Sequence, residues 1–168
     1  NKPILYAANI SEDDTINAST SKYLDELIKY TSTKNSAVIK VCASIEQEIS
    51  TLSKEEENVF LAEYNLSESG LKRIIRTSFD LLGLQTYFTA GPTEVRAWTI
   101  LKGLTAKQSA GVIHSDFERG FIKAEVFSYS DLITHGSEGA LSNLGLTRTE
   151  GKEYIVKDGD CIFFKFNV

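Results

Sequence analysis

The sequence predicts an α/β unit over residues 1–84 followed by an α+β unit over residues 85–168, and three observations carry that division. The hydrophobic pattern begins as short unbroken apolar runs separated by helical stripes, and ends as alternating strand-like segments. Glycine follows the same line, since ten of the 11 glycines fall from Gly83 onward. Charge does too: residues 1–84 hold 9 Lys and Arg against 13 Asp and Glu, and residues 85–168 hold 9 against 10. A domain boundary at Gly83 to Gln85 follows.

Pro3 to Ala8 is an apolar run of strand length without alternation, which suits a parallel strand covered on both faces. Ser19 or Thr20 is placed to cap the next helix, in which Tyr23, Leu24, Leu27, Ile28 and Thr31 make one buried stripe. Ala37 to Cys42 reads as a second strand, and strand, helix, strand is by default a right-handed parallel crossover. Helices then run to Gly83. Ser44 with Gln47 resembles a capping box, Ser53 precedes the acidic turn Glu55-Glu56-Glu57, and Gly70 opens a helix striped by Ile74, Ile75, Phe79 and Leu82.

Past Gly83 the period changes. Thr86 to Ala90 and Val95 to Leu101 read as strands joined by the hairpin loop Gly91-Pro92-Thr93-Glu94. A helix near Thr105 to His114, a strand from Phe121 to Phe127, helical pieces near Ser130 and Glu138, and a strand pair around Asp158-Gly159 complete the chain. In the last strand Phe164 and Phe166 share one face and Phe163 takes the other. Hairpin, crossing helix and terminal hairpin suit a β-grasp sheet.

A chain of 168 residues buries enough surface to fold without a disulfide or metal staple. Its charge of −5 argues against nonspecific nucleic-acid binding as its main task. The longest apolar runs, such as Cys161-Ile162-Phe163-Phe164, are too short to span a bilayer, and the N-terminus carries no signal pattern, so a cytoplasmic location is expected. Cys42 and Cys161 lie in apolar runs with no ligand spacing, which reads as two buried thiols and no zinc. Asn1 is an unusual first residue and the sequence holds no Met, so the chain reads as part of a longer polypeptide.

No G-x-x-x-x-G-K-[ST] phosphate loop, G-x-S-x-G or H-E-x-x-H occurs. Asp80-Leu81-Leu82-Gly83 matches a short D-x-x-G string, but Gly83 suits a left-handed helix cap there. His114 and His135 each fall at an expected helix end, where a cation complements the dipole; His114 is also placed for a partner contact. One constellation points at a ligand. Asn9-Ile10-Ser11-Glu12 follows the first strand and Cys42-Ala43-Ser44 the second, which places both loops at the carboxyl edge where open α/β sheets bind ligands. Asn9 offers an acceptor and two donors to a purine edge, backbone amides beyond the second strand suit the same base, and Ile10 suits its face. The competing assignment makes Asn9 a loop cap and Ser44 a helix cap.

The stretches LQTYFTAGPTEVRAWTI from Leu84 to Ile100, AGVIHSDFERGFI from Ala110 to Ile122 and EGKEYIVKDGD from Glu150 to Asp160 resemble the YchF-type Obg-like ATPases. With Lys2 to Glu12 the resemblance spans essentially the whole chain. It implies that residues 1–84 are the closing strands and helices of a P-loop G domain, and that residues 85–168 form a TGS domain of ubiquitin-like β-grasp shape. It implies Asn9, Ile10, Glu12, Cys42, Ala43 and Ser44 as nucleotide-base contacts, with ATP or GTP and Mg²⁺ as the cofactors of the complete parent, and the ribosome as partner. The phosphate loop, switches and Mg²⁺ ligands of that family would lie upstream of Asn1, so no metal ligands and no turnover are expected of this chain by itself. Asn9 to Glu12 falls where the wider superfamily carries N-K-x-D, whose Asp accepts hydrogen bonds from guanine; departure from it removes discrimination against adenine. The second expectation is a noncatalytic TGS module binding protein or RNA, with Arg96, His114, Arg119 and Lys123 as candidate contacts.

Overall fold

A pair of parallel strands organises the first half of the molecule. The computed structural model describes residues 2–17, 21–91 and 94–167, which divide into two units, Asn1–Leu82 and Gly83–Val168. In the first, β1 (Ile4–Asn9) pairs in parallel with β2 (Ser36–Val41), in register from Ile4 opposite Ser36 to Asn9 opposite Val41. The crossover between them contains α1 (Glu12–Ile16) and α2 (Lys22–Thr31). Both start at serines, Ser11 and Ser21, whose hydroxyls accept the Asp14 and Leu24 amides. The expected caps Ser19 and Thr20 lie outside the described residues.

After β2 come α3 (Ala43–Ile49), α4 (Lys54–Glu63) and α5 (Gly70–Leu81), with α5 packed on both strands. Ser53 and Glu56 form a reciprocal capping box at α4, and Gly83 closes the chain beyond α5 with φ of 65°, a backbone state that costs glycine least.

Four expectations for this unit are corrected. β1 is not covered on both faces, because its sheet has two strands and Ile4, Ala7 and Asn9 stay exposed. On α2 only Leu24, Leu27 and Thr31 turn inward, while Tyr23 is 81% exposed and Ile28 also faces out. On α5 the inward face holds Ile74 and Phe79, and Ile75 and Leu82 are exposed. Ser44 with Gln47 makes no capping box, because α3 starts at Ala43, two residues before a helix capped by Ser44 would, and its N-cap Cys42 makes no side-chain capping bond.

The second unit is a five-stranded sheet in the order β4-β3-β7-β5-β6. Its strands are β3 (Leu84–Ala90), β4 (Val95–Leu101), β5 (Phe121–Ser128), β6 (Arg148–Glu150) and β7 (Asp160–Phe166). Between them run α6 (Ala106–Ile113), α7 (Ser115–Arg119), α8 (Tyr129–His135) and α9 (Glu138–Asn143). One sheet face, through Tyr87, Ile100, Val126, Ile162 and Phe164, buries against Ala106 and Ala110 of α6. On the other, Phe127 and Cys161 pack with Leu141 of α9. The alternation expected of the last strand is present, with Phe164 buried and Phe163 47% exposed.

The expected terminal hairpin around Asp158-Gly159 does not form. β7 instead enters the sheet centre, antiparallel to β5 and parallel to β3. Side chains explain the difference, because the Asp158 carboxylate accepts the Thr86 amide at 2.8 Å and ties the turn to β3. Buried Asp160 accepts from the Tyr154 hydroxyl and the Lys157 amide, each at 2.8 Å, while the backbone of residues 154–156 bonds to residues 104–106 through an isolated Thr105–Ile155 bridge rather than to β7. Residues Pro92 and Thr93 of the β3–β4 loop lie outside the described residues.

Candidate functional site

Parallel pairing places the ends of β1 and β2 side by side, and two hydrogen bonds fasten the loops that leave them. The Ile10 amide donates to the Val41 carbonyl at 2.8 Å, continuing the ladder one residue past the strand. The Ala43 amide donates to Oδ1 of Asn9 at 3.1 Å. Ala43 is the first residue of α3, so Asn9 supplies from another strand the cap that Cys42 lacks. Only the amide oxygen can accept from an N–H, which orients the Asn9 side chain and leaves its Nδ2 without a partner among the described residues.

Around that tether, Ser11 turns the chain into α1, so that Glu12 is its first helical residue. Ser44 lies with its hydroxyl 3.2 Å from the Cys42 sulfur. The six residues expected at a base site are thus gathered from two loops 34 positions apart into one edge of the sheet. Of the competing assignment, the Asn9 oxygen does act as a cap, on the first amide of α3, whereas Ser44 lies inside α3 and does not cap it.

Beneath the loops lies a cavity of about 140 Å³ lined by Ile10, Lys40, Cys42, Ile45, Glu46 and Arg73. Sequence reasoning missed Glu46. Glu46 receives the Gly70 amide at 2.6 Å on one oxygen and the Leu71 amide at 3.1 Å on the other, so its carboxylate caps the first turn of α5. Arg73, one turn further along α5, holds its Nε buried without a hydrogen-bond partner among the described residues. Neither contact has a local signature, since the Glu46 bonds span 24 and 25 residues. Among the described residues no group of three or more His, Cys, Asp or Glu is placed to hold a metal ion.

The four partner candidates of the second unit are not brought together as one patch. His114 caps α7 by accepting the Asp116 amide on Nδ1, and Arg119 pairs with the same Asp116 at 2.7 Å, so these two are neighbours. Lys123 lies on β5, 3.6 Å from Glu125. Arg96 lies on β4, separated from β5 by two strands, with its guanidinium 4.2 Å from the Trp98 ring centre and 3.8 Å from Glu94. Each cation therefore has a carboxylate neighbour within its own unit. His135, by contrast, ends α8 ahead of the left-handed Gly136, the helix-end position read from the sequence.

The family model YchF-GTPase_C, described as a protein of unknown function (DUF933), matches residues 84–167. The chain is 52% identical over 167 residues to the "Ribosome-binding ATPase YchF" of Bacillus subtilis (strain 168), covering 99% of this chain and 46% of that protein. It is 50% identical to the protein of the same name from Escherichia coli O157:H7, over 99% of this chain and 45% of the relative. To "Obg-like ATPase 1" of Rattus norvegicus it is 46% identical, over 99% and 42%. The structure of the Schizosaccharomyces pombe YchF GTPase superposes with a TM-score of 0.79 at 37% identity, over 98% of this chain and 43% of that one. The chain spans less than half the length of these relatives. With the family model covering half of the sequence and a mixed α/β fold that matches a YchF structure, the chain belongs to the YchF-GTPase_C family, the C-terminal part of the YchF and Obg-like ATPases.

Proposed function

We propose that this chain carries the purine-base half of the nucleotide site of a cytoplasmic, ribosome-associated Obg-like ATPase. The observation that carries the reading is the Asn9–Ala43 bond, which holds two loops at the carboxyl edge of a parallel sheet and leaves an amide donor facing outward. In the first unit the parallel pair with its helical crossover supports the closing part of a G domain. In the second, a hairpin of outer strands and a last strand inserted at the centre support a TGS domain of β-grasp type.

At the base, Nδ2 of Asn9 donates to a purine ring nitrogen, Ile10 lies against the ring, and the amides beyond β2 reach its edge. With Glu12 in the place of the guanine-reading Asp, ATP is preferred over GTP. A nucleotide bound there presents its phosphates to residues that this chain does not supply, so binding is weak and hydrolysis is absent in the 168-residue chain. The ribosome enters through the printed names of the bacterial relatives, and nucleotide state is the signal that such a regulator delivers to it.

Titration of ¹⁵N-labelled chain with ATP tests the reading. Resonances of Asn9, Ile10, Glu12 and Ala43 are expected to move together, the Asn9 side-chain amide included. Shifts scattered elsewhere with these unmoved would refute it.

A further inference from the structure

Helix α4 buries Leu61 inward, yet it carries apolar side chains on its outward face as well. Val59 is 63% exposed, and with Leu52 and Phe60 it lines a shallow groove of about 400 Å³ whose rim is Glu55, Glu56 and Glu63. Residues 55, 59 and 63 follow each other at four-residue steps, so two carboxylates flank one apolar anchor along a single helix face. Eight residues of helix separate the outer carboxylates by roughly 12 Å. Neither Glu55 nor Glu63 has an ion-pair partner among the described residues, whereas nearby Glu57 is matched by Lys72 at 2.6 Å. Glu56 accepts the Ser53 amide at 2.8 Å and stays in the rim as a fixed anion.

We propose that this face docks a basic, amphipathic segment of a ribosomal protein, in which two cations about 12 Å apart bracket an apolar side chain. The occupant follows from charge. Carboxylates repel the phosphates that make up most of a ribosome's surface, so a chain of net charge −5 meets that particle on this face through basic protein rather than RNA. The choice of the ribosome as source rests on the function proposed above; the groove and its charge do not. Nucleotide binding plays no part in it.

The test uses the 168-residue chain, a Glu55→Gln/Glu63→Gln variant and a Val59→Ser variant. All three residues are exposed, and helix content by circular dichroism verifies folding. Anisotropy of a labelled helical peptide with lysines eight residues apart around a leucine stripe is expected to show binding. That binding weakens about fivefold or more in the charge variant and by a similar factor in Val59→Ser. Equal affinity of the variants and the unaltered chain overturns the proposal, as does equal binding of a peptide whose leucines are replaced by serine. Sedimentation with ribosomes separates the two readings. Loss in the charge variant supports the docking face; co-sedimentation unaffected in both variants overturns it and leaves ribosome association standing. An unaltered chain that does not sediment removes the ribosome and this occupant together. A single-stranded RNA that binds the unaltered chain and is lost in the variants overturns the assignment to protein.

Discussion

Replacing Asn9 in two ways separates its two tasks. Asn9→Ala removes both the acceptor for the Ala43 amide and the donors of Nδ2. The lost hydrogen bond costs about 0.5–1.5 kcal/mol of the first unit's stability, at the low end because water reaches this exposed site. Asn9→Asp keeps the acceptor, so that bond is not lost, and its negative charge at the start of α3 adds about 0.3–1 kcal/mol. It supplies no donor. Both variants therefore lose one neutral hydrogen bond to the base, about 0.5–1.5 kcal/mol or a factor of roughly 2 to 13 in affinity for ATP. In Asn9→Asp the loss is larger, because a carboxylate faces a ring nitrogen. The assay is the ATP titration by ¹⁵N resonance shifts, with urea unfolding of each variant followed by far-ultraviolet circular dichroism. The expected pattern is a weakened binder of near-normal stability for Asn9→Asp, and a weakened binder of lower stability for Asn9→Ala. Asn9→Asp binding ATP as tightly as the unaltered chain would refute the donor role and leave Asn9 a helix cap.

Other expectations concern the second unit, which Trp98, the single tryptophan, reports by fluorescence. A Cβ at Gly120 would collide with the backbone carbonyl of Asn167, which cannot move because its own amide bonds to Gly120, so Gly120→Ala should cost roughly 1–3 kcal/mol in urea. The Ser109 hydroxyl is fully buried without a partner among the described residues, and Ser109→Ala should raise stability by about 1 kcal/mol; a lower urea midpoint would contradict the orphaned assignment. Burial and then its bond to Asp160 push the Tyr154 phenol up to about 12, and burial raises Tyr87 further. The folded chain thus keeps these protons after unfolded tyrosines, near about 10, release theirs. Stability is full below about pH 10 and falls as pH climbs toward 12. A urea midpoint unchanged across that range, or a fall as steep in Tyr154→Phe, would count against it.

Local chemistry was legible where one helix or one strand decides the outcome. Ser53 heads α4 ahead of its acidic first turn, and the alternation of Phe163 and Phe164 survives in β7, whereas the one capping box read from spacing, Ser44 with Gln47, does not form. What period alone did not reveal is which apolar residue of a stripe meets a neighbour. Tyr23 and Ile28 satisfy the helical spacing on α2, but the two-stranded sheet beside it is narrow and covers only Leu24, Leu27 and Thr31. Topology was misread at the end of the chain for a related reason. Asp158-Gly159 has the composition of a hairpin turn, and nothing nearby announces that the Asp158 carboxylate binds an amide 72 residues away.

The candidate site shows the same limit from its other side. Its position at the carboxyl edge follows from strand order, which a pattern of apolar runs reveals, but its rigidity depends on bonds between distant residues. A two-stranded parallel sheet is a weak platform by itself. Asn9 to Ala43 contributes one neutral hydrogen bond, and Glu46 to Gly70 and Leu71 contributes a charged pair of bonds at a helix start. At about 1 kcal/mol for the first and about 1.5–3 kcal/mol for a bond to a charged group, these tethers rival the affinity expected of the base contacts themselves. Holding the loops in place before a ligand arrives removes ordering cost from binding. Glu46 therefore supports the candidate site through the start of α5, and its long sequence separation is why no motif contains it.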